Sequence, residues 1–178
     1  MDTATEGTDS RVETRVEADP AFNALFDSQF ETMTWLAYLL GADDPEDIAQ
    51  ESFVRLYGRW HTLSGTGKAS AYLRRIVVNL SRSRLRHLRI VRRTTPDRLP
   101  DAASAETHVL AGHEHRRLRE ALTGLPTRQR QVLVLRYWLD LDQNAIAETL
   151  GIAVGTVKAT NSHAIANLRK VWPEQEEH

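Results

Sequence analysis

The sequence predicts an all-α protein built as two small helical domains joined by a flexible linker, and three observations carry that expectation. Apolar residues recur at spacings of three and four along most of the chain, the pattern of a helix with one buried face. Asp-Pro pairs and isolated glycines punctuate those runs where helices should start and stop. TTPDRLPDAASA, which begins at Thr94, holds two prolines and no periodicity, and so reads as a linker able to span about 40 Å when extended. The expected boundaries are an acidic tail at 1–18, a first domain at 19–93, the linker at 94–106, a second domain at 107–172 and a tail at 173–178.

A chain of 178 residues is one ordinary domain or two small ones. Hydrophobic residues make up 41% and charged residues 26%, as in a soluble protein with a real core. The net charge of -1 hides a segregation: residues 1 to 20 hold six acids against two arginines, whereas Arg74 to Arg93 holds eight arginines and no acid. With no cysteine there is neither a disulfide framework nor a thiolate metal site. No signal pattern opens the chain and no apolar run approaches the ~20 residues that span a bilayer, so membrane insertion is not expected and a cytoplasmic location is.

Residues 1 to 18 are polar and acidic, with too little apolar surface to offset the entropy of ordering, and are expected to be disordered. Asp19-Pro20 starts the first helix, a capping residue followed by proline at the first helical position. Phe22, Leu25, Phe26, Phe30, Met33, Ala37 and Leu40 give it a wide apolar face that ends at Gly41. Asp44-Pro45 repeats the start signal. In the second helix Ala49, Ser52, Phe53, Leu56 and Trp60 point one way, while Asp47, Gln50, Glu51 and Val54 cluster opposite. Periodicity alone reads this second group either as a docking surface or as a solvated face whose first-turn acids suit the helix dipole. Gly65, Gly67 and Lys68 hint at a phosphate turn, but the Walker pattern fails because Thr62 replaces its first glycine and Ala69 its Ser/Thr.

The third helix is expected from about Ala69 to Arg89, with a core stripe of Tyr72, Leu73, Ile76, Leu80 and Ser83. Arg75, Asn79, Arg82 and Arg86 lie on another stripe, at i, i+4, i+7 and i+11. Aligned donors of this kind suit a nucleic-acid backbone and base edges; the alternative is a solvated basic face, against which the absence of acids through Arg93 argues.

The second domain opens with a helix from about His108 to Leu122, and Gly124-Leu125-Pro126 resets the chain. Val132, Leu133, Leu135 and Tyr137 or Trp138 then supply the core that supports the last two helices. Asp142 caps the first of these, a short helix with Ile146, Ala147 and Leu150 on its apolar face, and Gly151 supplies the left-handed residue that ends it. The second starts near Gly155, with Val157, Ile165 and Leu168 on one face and Thr156, Lys158, Thr160 and His163 projecting elsewhere. The pair reads as a helix-turn-helix whose second member enters a major groove, although a plain helical hairpin shares the periodicity.

Chemistry of other kinds is not indicated. His108, His113 and His115 contain no i, i+4 pair, so a surface helix is favoured over a metal site. No nucleophile stands beside a base and no cofactor loop is present, so neither an enzyme nor a cofactor is expected.

Three motifs taken together resemble the bacterial sigma-70 family, in particular the small two-domain extracytoplasmic-function sigma factors of an actinobacterial-like subgroup. DPEDIAQESFVRLYGRW resembles region 2.2, AYLRRIVVNLSRSRLR resembles regions 2.3 and 2.4, and LPTRQRQVLVLRYW with the helix-turn-helix resembles region 4. The resemblance covers nearly all of residues 20 to 172 and implies a region 2 helical bundle followed by a region 4 helix-turn-helix. It implies that Asp47, Gln50 and Glu51 grip core RNA polymerase. The loop from His61 to Ser70, with Tyr72, Arg75 and Asn79 and the neighbouring Arg82 and Arg86, would meet and help melt the minus-ten element. Thr156, Lys158, Thr160 and His163 would read the minus-thirty-five element, making promoter DNA a partner. An anti-sigma factor is a further partner that the resemblance admits. The other readings are a stand-alone helix-turn-helix regulator and an interaction protein such as an anti-sigma factor, the latter leaving the basic stripe unexplained.

This chain departs from the family pattern at four places. Ala153 stands where the family usually has Ser, Thr160 where it has Arg, and Asn161 where it has an apolar residue; Ser83 stands where many relatives carry Asp. Losing the arginine removes a phosphate contact, and a buried Asn161 without partners would cost roughly 1–3 kcal/mol.

Overall fold

Helices α1 and α2 are set by the two Asp-Pro signals, and in the computed structural model, which describes residues 19–63, 65–94 and 112–172, both begin where those signals stand. The expected tails, the linker beyond Thr94 and the first residues of the second domain lie outside the described residues. Among the described residues all regular structure is helical.

Helix α1 spans Pro20–Leu39. Asp19 caps it through Oδ1, which accepts from the Ala21 amide at 2.9 Å, while Oδ2 accepts from Trp60 Nε1 at 2.7 Å. These hydrogen bonds, the Trp60 bond foremost, hold the Asp19 carboxyl below its ordinary pKa. Helix α2 spans Pro45–Tyr57, and a 3-10 turn at Trp60–Thr62 follows it. Helix α3 spans Thr66–Thr94, three residues earlier and five later than the sequence pattern suggests. The rings of Phe22, Phe26, Phe30, Phe53, Tyr57 and Trp60 meet where α1 packs on α2, mostly edge to face at centroid distances of 4.8–6.2 Å.

The second half comprises α4 (His113–Thr123), α5 (Thr127–Leu133), α6 (Gln143–Leu150) and α7 (Val154–Val171). Asp142 Oδ1 accepts from the Ala145 amide at 2.8 Å and caps α6, and Gly151 ends it in the left-handed region at φ 66. Helix α5 runs into a π-helical turn at Val134–Trp138, in which the Leu139 amide reaches back to the Val134 carbonyl at 3.4 Å. The widened turn rotates the side chains that come after it. Here the expectation of a buried Tyr137 or Trp138 is corrected, for both rings are exposed; Leu135 is buried as expected, and Val134 is buried beside it.

Ser83 is a second correction. It is exposed, and the buried serine of α3 is Ser81, which stands with Val77 and Val78 on a face wider than the expected stripe. Leu36, Ile48, Leu56, Leu73 and Val77 from the first half and Val132, Leu135, Ile146 and Val157 from the second belong to one continuous apolar cluster. Each such side chain contributes about 1.5–3 kcal/mol relative to exposure.

The halves are joined by specific polar contacts as well. The carbonyls at the end of α1 would be unsatisfied in an isolated helix. Arg119 of α4 donates from Nε to the Tyr38 carbonyl at 3.1 Å, and from Nη2 to those of Gly41 at 3.2 Å and Ala42 at 3.1 Å. Arg130 of α5 donates to the Leu40 carbonyl at 2.6 Å and to its own half's Leu125 carbonyl at 3.3 Å. Gly41 makes this approach possible, since its φ is 97 and a Cβ there would stand 2.7 Å from Arg130 Nη1.

Candidate nucleic-acid interface

Eight arginines on α3 divide into groups with different tasks. Arg84 is tied into the fold, with Nη1 at 3.0 Å from Asp44 Oδ2 and Nη2 at 3.8 Å from Glu51 Oε2. Arg74 is half-buried opposite Glu148, and its pKa is lowered chiefly by burial. Arg75, Asn79, Arg82 and Arg86 are all exposed, and among the described residues none of their side chains enters a hydrogen bond or ion pair. The sequence-predicted stripe is thus a row of uncommitted donors along about 16 Å of helix. Tyr72, at its amino-terminal end, is half-buried and packs against the core.

On α7, Thr156, Lys158 and His163 are exposed, Val157 and Ala164 are buried, and Ile165 and Leu168 pack on the core. Thr160 lies half-buried at the border of the two faces, so it offers less of its side chain to a groove than the wheel suggests. Asn161 is half-buried as well, and its Oδ1 is fully buried without a hydrogen-bond partner. An unpaired acceptor of this kind costs about 1–3 kcal/mol. Asn161→Leu is therefore expected to raise the thermal midpoint by a few degrees, at about 2–4 °C per kcal/mol for a chain of this size. A circular-dichroism melt checks it, and a lowered midpoint would show that the amide is satisfied.

On α2, Asp47 and Gln50 are exposed beside Val54, which is 71% exposed, and Ile48, Ala49, Ser52, Phe53 and Leu56 are buried behind them. Glu51 is half-buried; besides Arg84 it pairs with Arg55 at 2.6 Å. Burial raises the Asp44 carboxyl above its ordinary pKa, with Arg84 opposing the rise.

Sequence profiles for sigma-70 region 2 and sigma-70 region 4 match residues 33–99 and 115–168. The RNA polymerase sigma-E factor of Streptomyces avermitilis is 36% identical over 130 residues, which cover 71% of this chain and 70% of that protein. The chain belongs to the sigma-70 family. Among further relatives of this sigma factor is the ECF RNA polymerase sigma factor SigW of Bacillus subtilis, 31% identical over 170 residues that cover 84% of this chain and 88% of SigW. In fold it is similar to the sigma factor RpoE of Bartonella quintana, solved in complex with the anti-sigma factor NepR, with a TM-score of 0.71 at 19% identity over 85% of this chain and 96% of that one.

The sigma factor therefore carries three surfaces: the α2 face, the α3 stripe and the exposed side of α7. Sequence reasoning missed the residues that arrange them. Arg84, Arg119 and Arg130 stand among many arginines, and only their partners, far away in sequence, set them apart. Arg130 left a local trace, since it falls three residues before the expected core position Leu133, and in the fold it is only 3% exposed. Among the described residues no helix is long and apolar enough to cross a membrane.

Proposed function

We propose that this sigma factor binds core RNA polymerase through Asp47, Gln50 and Glu51 on α2 and confers promoter recognition and melting on it. The α3 residues Tyr72, Arg75, Asn79, Arg82 and Arg86 receive the minus-ten element, and Thr156, Lys158, Thr160 and His163 on and beside the exposed side of α7 read the minus-thirty-five element. The chain is cytoplasmic, has no catalytic activity of its own, and has an anti-sigma factor among its regulators. The observation that carries the reading is the α3 stripe, whose side-chain donors have no partner among the described residues while Arg84 on the same helix is paired. Guanidinium groups left unpaired in this way are available to phosphates and base edges.

Reconstitution with core polymerase tests it directly. The holoenzyme is expected to initiate from promoter DNA at a defined start, whereas tight sequence-specific binding of a palindromic duplex by the chain alone would identify a stand-alone regulator instead. In salt-dependent filter binding of the holoenzyme, Lys158→Ala is expected to weaken duplex docking and lower the salt slope by about one unit, the amount for one phosphate contact. An unchanged slope would remove Lys158 from the interface.

A further inference from the structure

The loop from His61 to Ser70, which the minus-ten element is proposed to meet, is tied to α1 at both ends. At its start, Trp60 Nε1 donates to Asp19 Oδ2 at 2.7 Å. At its end, Gln29 Nε2 donates to Ser70 Oγ at 2.8 Å. The partners lie 41 residues apart in each pair, so the ties run from 19 to 29 along α1 and its cap just as they run from 60 to 70 along the loop. Ten helical residues are about 15 Å of a rigid rod. One helix therefore sets the spacing between the ends of the DNA-facing loop.

Each tie fixes more than the atoms that form it. The Trp60 ring also meets Phe22 of α1 edge to face at 5.3 Å, so the ring and its N–H are held by the same helix. The Asp19 carboxyl is held below its ordinary pKa, by the Trp60 bond first, and so accepts as a charged group. Trp60 in turn opens the 3-10 turn, where its carbonyl accepts from the Leu63 amide at 3.2 Å, and the Thr62 amide and hydroxyl donate to the Arg59 carbonyl at 2.9 and 2.8 Å. The direction taken by His61 and Thr62, both exposed, follows from where Trp60 is held. Gln29 and Ser70 are half-buried, and Ser70 stands on α3 two residues before Tyr72 and five before Arg75.

We infer that Asp19 and Gln29 are positioning residues that hold the minus-ten loop in the shape that receives its DNA strand, an inference that rests on the minus-ten assignment above. Both act through the residue they hold and not by touching DNA. Ends fixed before the strand arrives leave the loop less conformational entropy to lose on binding, and less freedom to adapt to a wrong base. The fold itself rests on the apolar cluster, to which Asp19, Gln29 and Ser70 do not belong.

The test uses holoenzymes assembled with the full-length wild type, Asp19→Asn, Trp60→Phe and Gln29→Met. Asparagine has one side-chain acceptor, so it cannot serve the Ala21 amide and Trp60 together, and it is a good cap. Phenylalanine keeps a ring beside Phe22 without the N–H, and carries the test if the asparagine turns its oxygen to Trp60. Methionine keeps the length of Gln29 without its amide. Each holoenzyme is bound to a single-stranded non-template oligonucleotide with the minus-ten element of a promoter at which the wild type initiates, and to a scrambled strand of the same composition. The wild type is expected to prefer the matched strand, and each variant to lose about threefold to tenfold of that preference, the worth of one hydrogen bond. Asp19→Asn with Trp60→Phe should lose no more than either alone, since both break the same bond, whereas Asp19→Asn with Gln29→Met should lose the product of the two. Affinity for core enzyme and docking on a minus-thirty-five duplex are expected to stay at wild-type values. Folded variants that keep the full preference, or that lose core affinity and both strands in parallel, would overturn the positioning role. A wild-type holoenzyme that does not distinguish the strands would instead overturn the minus-ten assignment itself.

Discussion

Replacing Asp47, Gln50 and Glu51 together with alanine is expected to abolish co-elution with core RNA polymerase while leaving helicity and the thermal midpoint nearly unchanged. Asp47 and Gln50 are exposed, and the α2 face that holds the fold is the opposite one, formed by Ile48, Ala49, Ser52, Phe53 and Leu56. Glu51 gives up its pairs with Arg55 and Arg84, whose side chains are 55% and 42% exposed. Surface pairs of this sort contribute about 0–1 kcal/mol, so the midpoint should fall by no more than a few degrees. A variant that still assembles with wild-type affinity would show that core enzyme docks elsewhere.

The double variant Arg75→Ala, Asn79→Ala is expected to form a closed promoter complex and then fail to open it. Both residues stand on the exposed stripe, so their loss takes nothing from the core. Contacts to unstacked bases arise only after the strands separate, and a well-made hydrogen-bonded pair between a side chain and a base edge is worth about 1–3 kcal/mol. Losing two such contacts would reduce opening by a factor of about thirty to tens of thousands, since each 1.4 kcal/mol is tenfold. Permanganate footprinting of the assembled holoenzyme measures this. Normal opening by the variant, on linear and on pre-melted templates alike, would reduce the α3 stripe to a solvated basic face.

Much of the fold was legible because it is written locally. Asp19 and Asp142 are caps whose partners lie two and three residues away, and Gly151 is a left-handed stop that only its own backbone requires. The α3 stripe was legible for the same reason, since one helix fixes its spacing. What the sequence hid depends on distant or non-ideal geometry. The π-helical turn at Val134–Trp138 breaks the 3.6-residue period on which the inward placement of Tyr137 or Trp138 rested. Ser83 was drawn into the core stripe because periodicity does not show how wide the buried face is, and that face takes in Val77, Val78 and Ser81 instead. The packing of the two halves on each other was equally hidden, because Arg119 meets its acceptors some eighty residues away.

Gly41 shows what such distant geometry does to the way a sequence can change. Read along the chain it is a helix stop, a place where asparagine would be a reasonable substitute. In three dimensions its missing Cβ is the space that Arg130 Nη1 occupies, so an added methyl group is both strained at φ 97 and wedged against a guanidinium from the other half. Positions 41 and 130 are therefore one unit of variation: a shorter side chain at 130 relieves the wedge but leaves the strain, and glycine at 41 is free to be lost only when both have been accommodated. In a double-mutant cycle the two sites should depart from additivity, although 89 positions separate them in the chain.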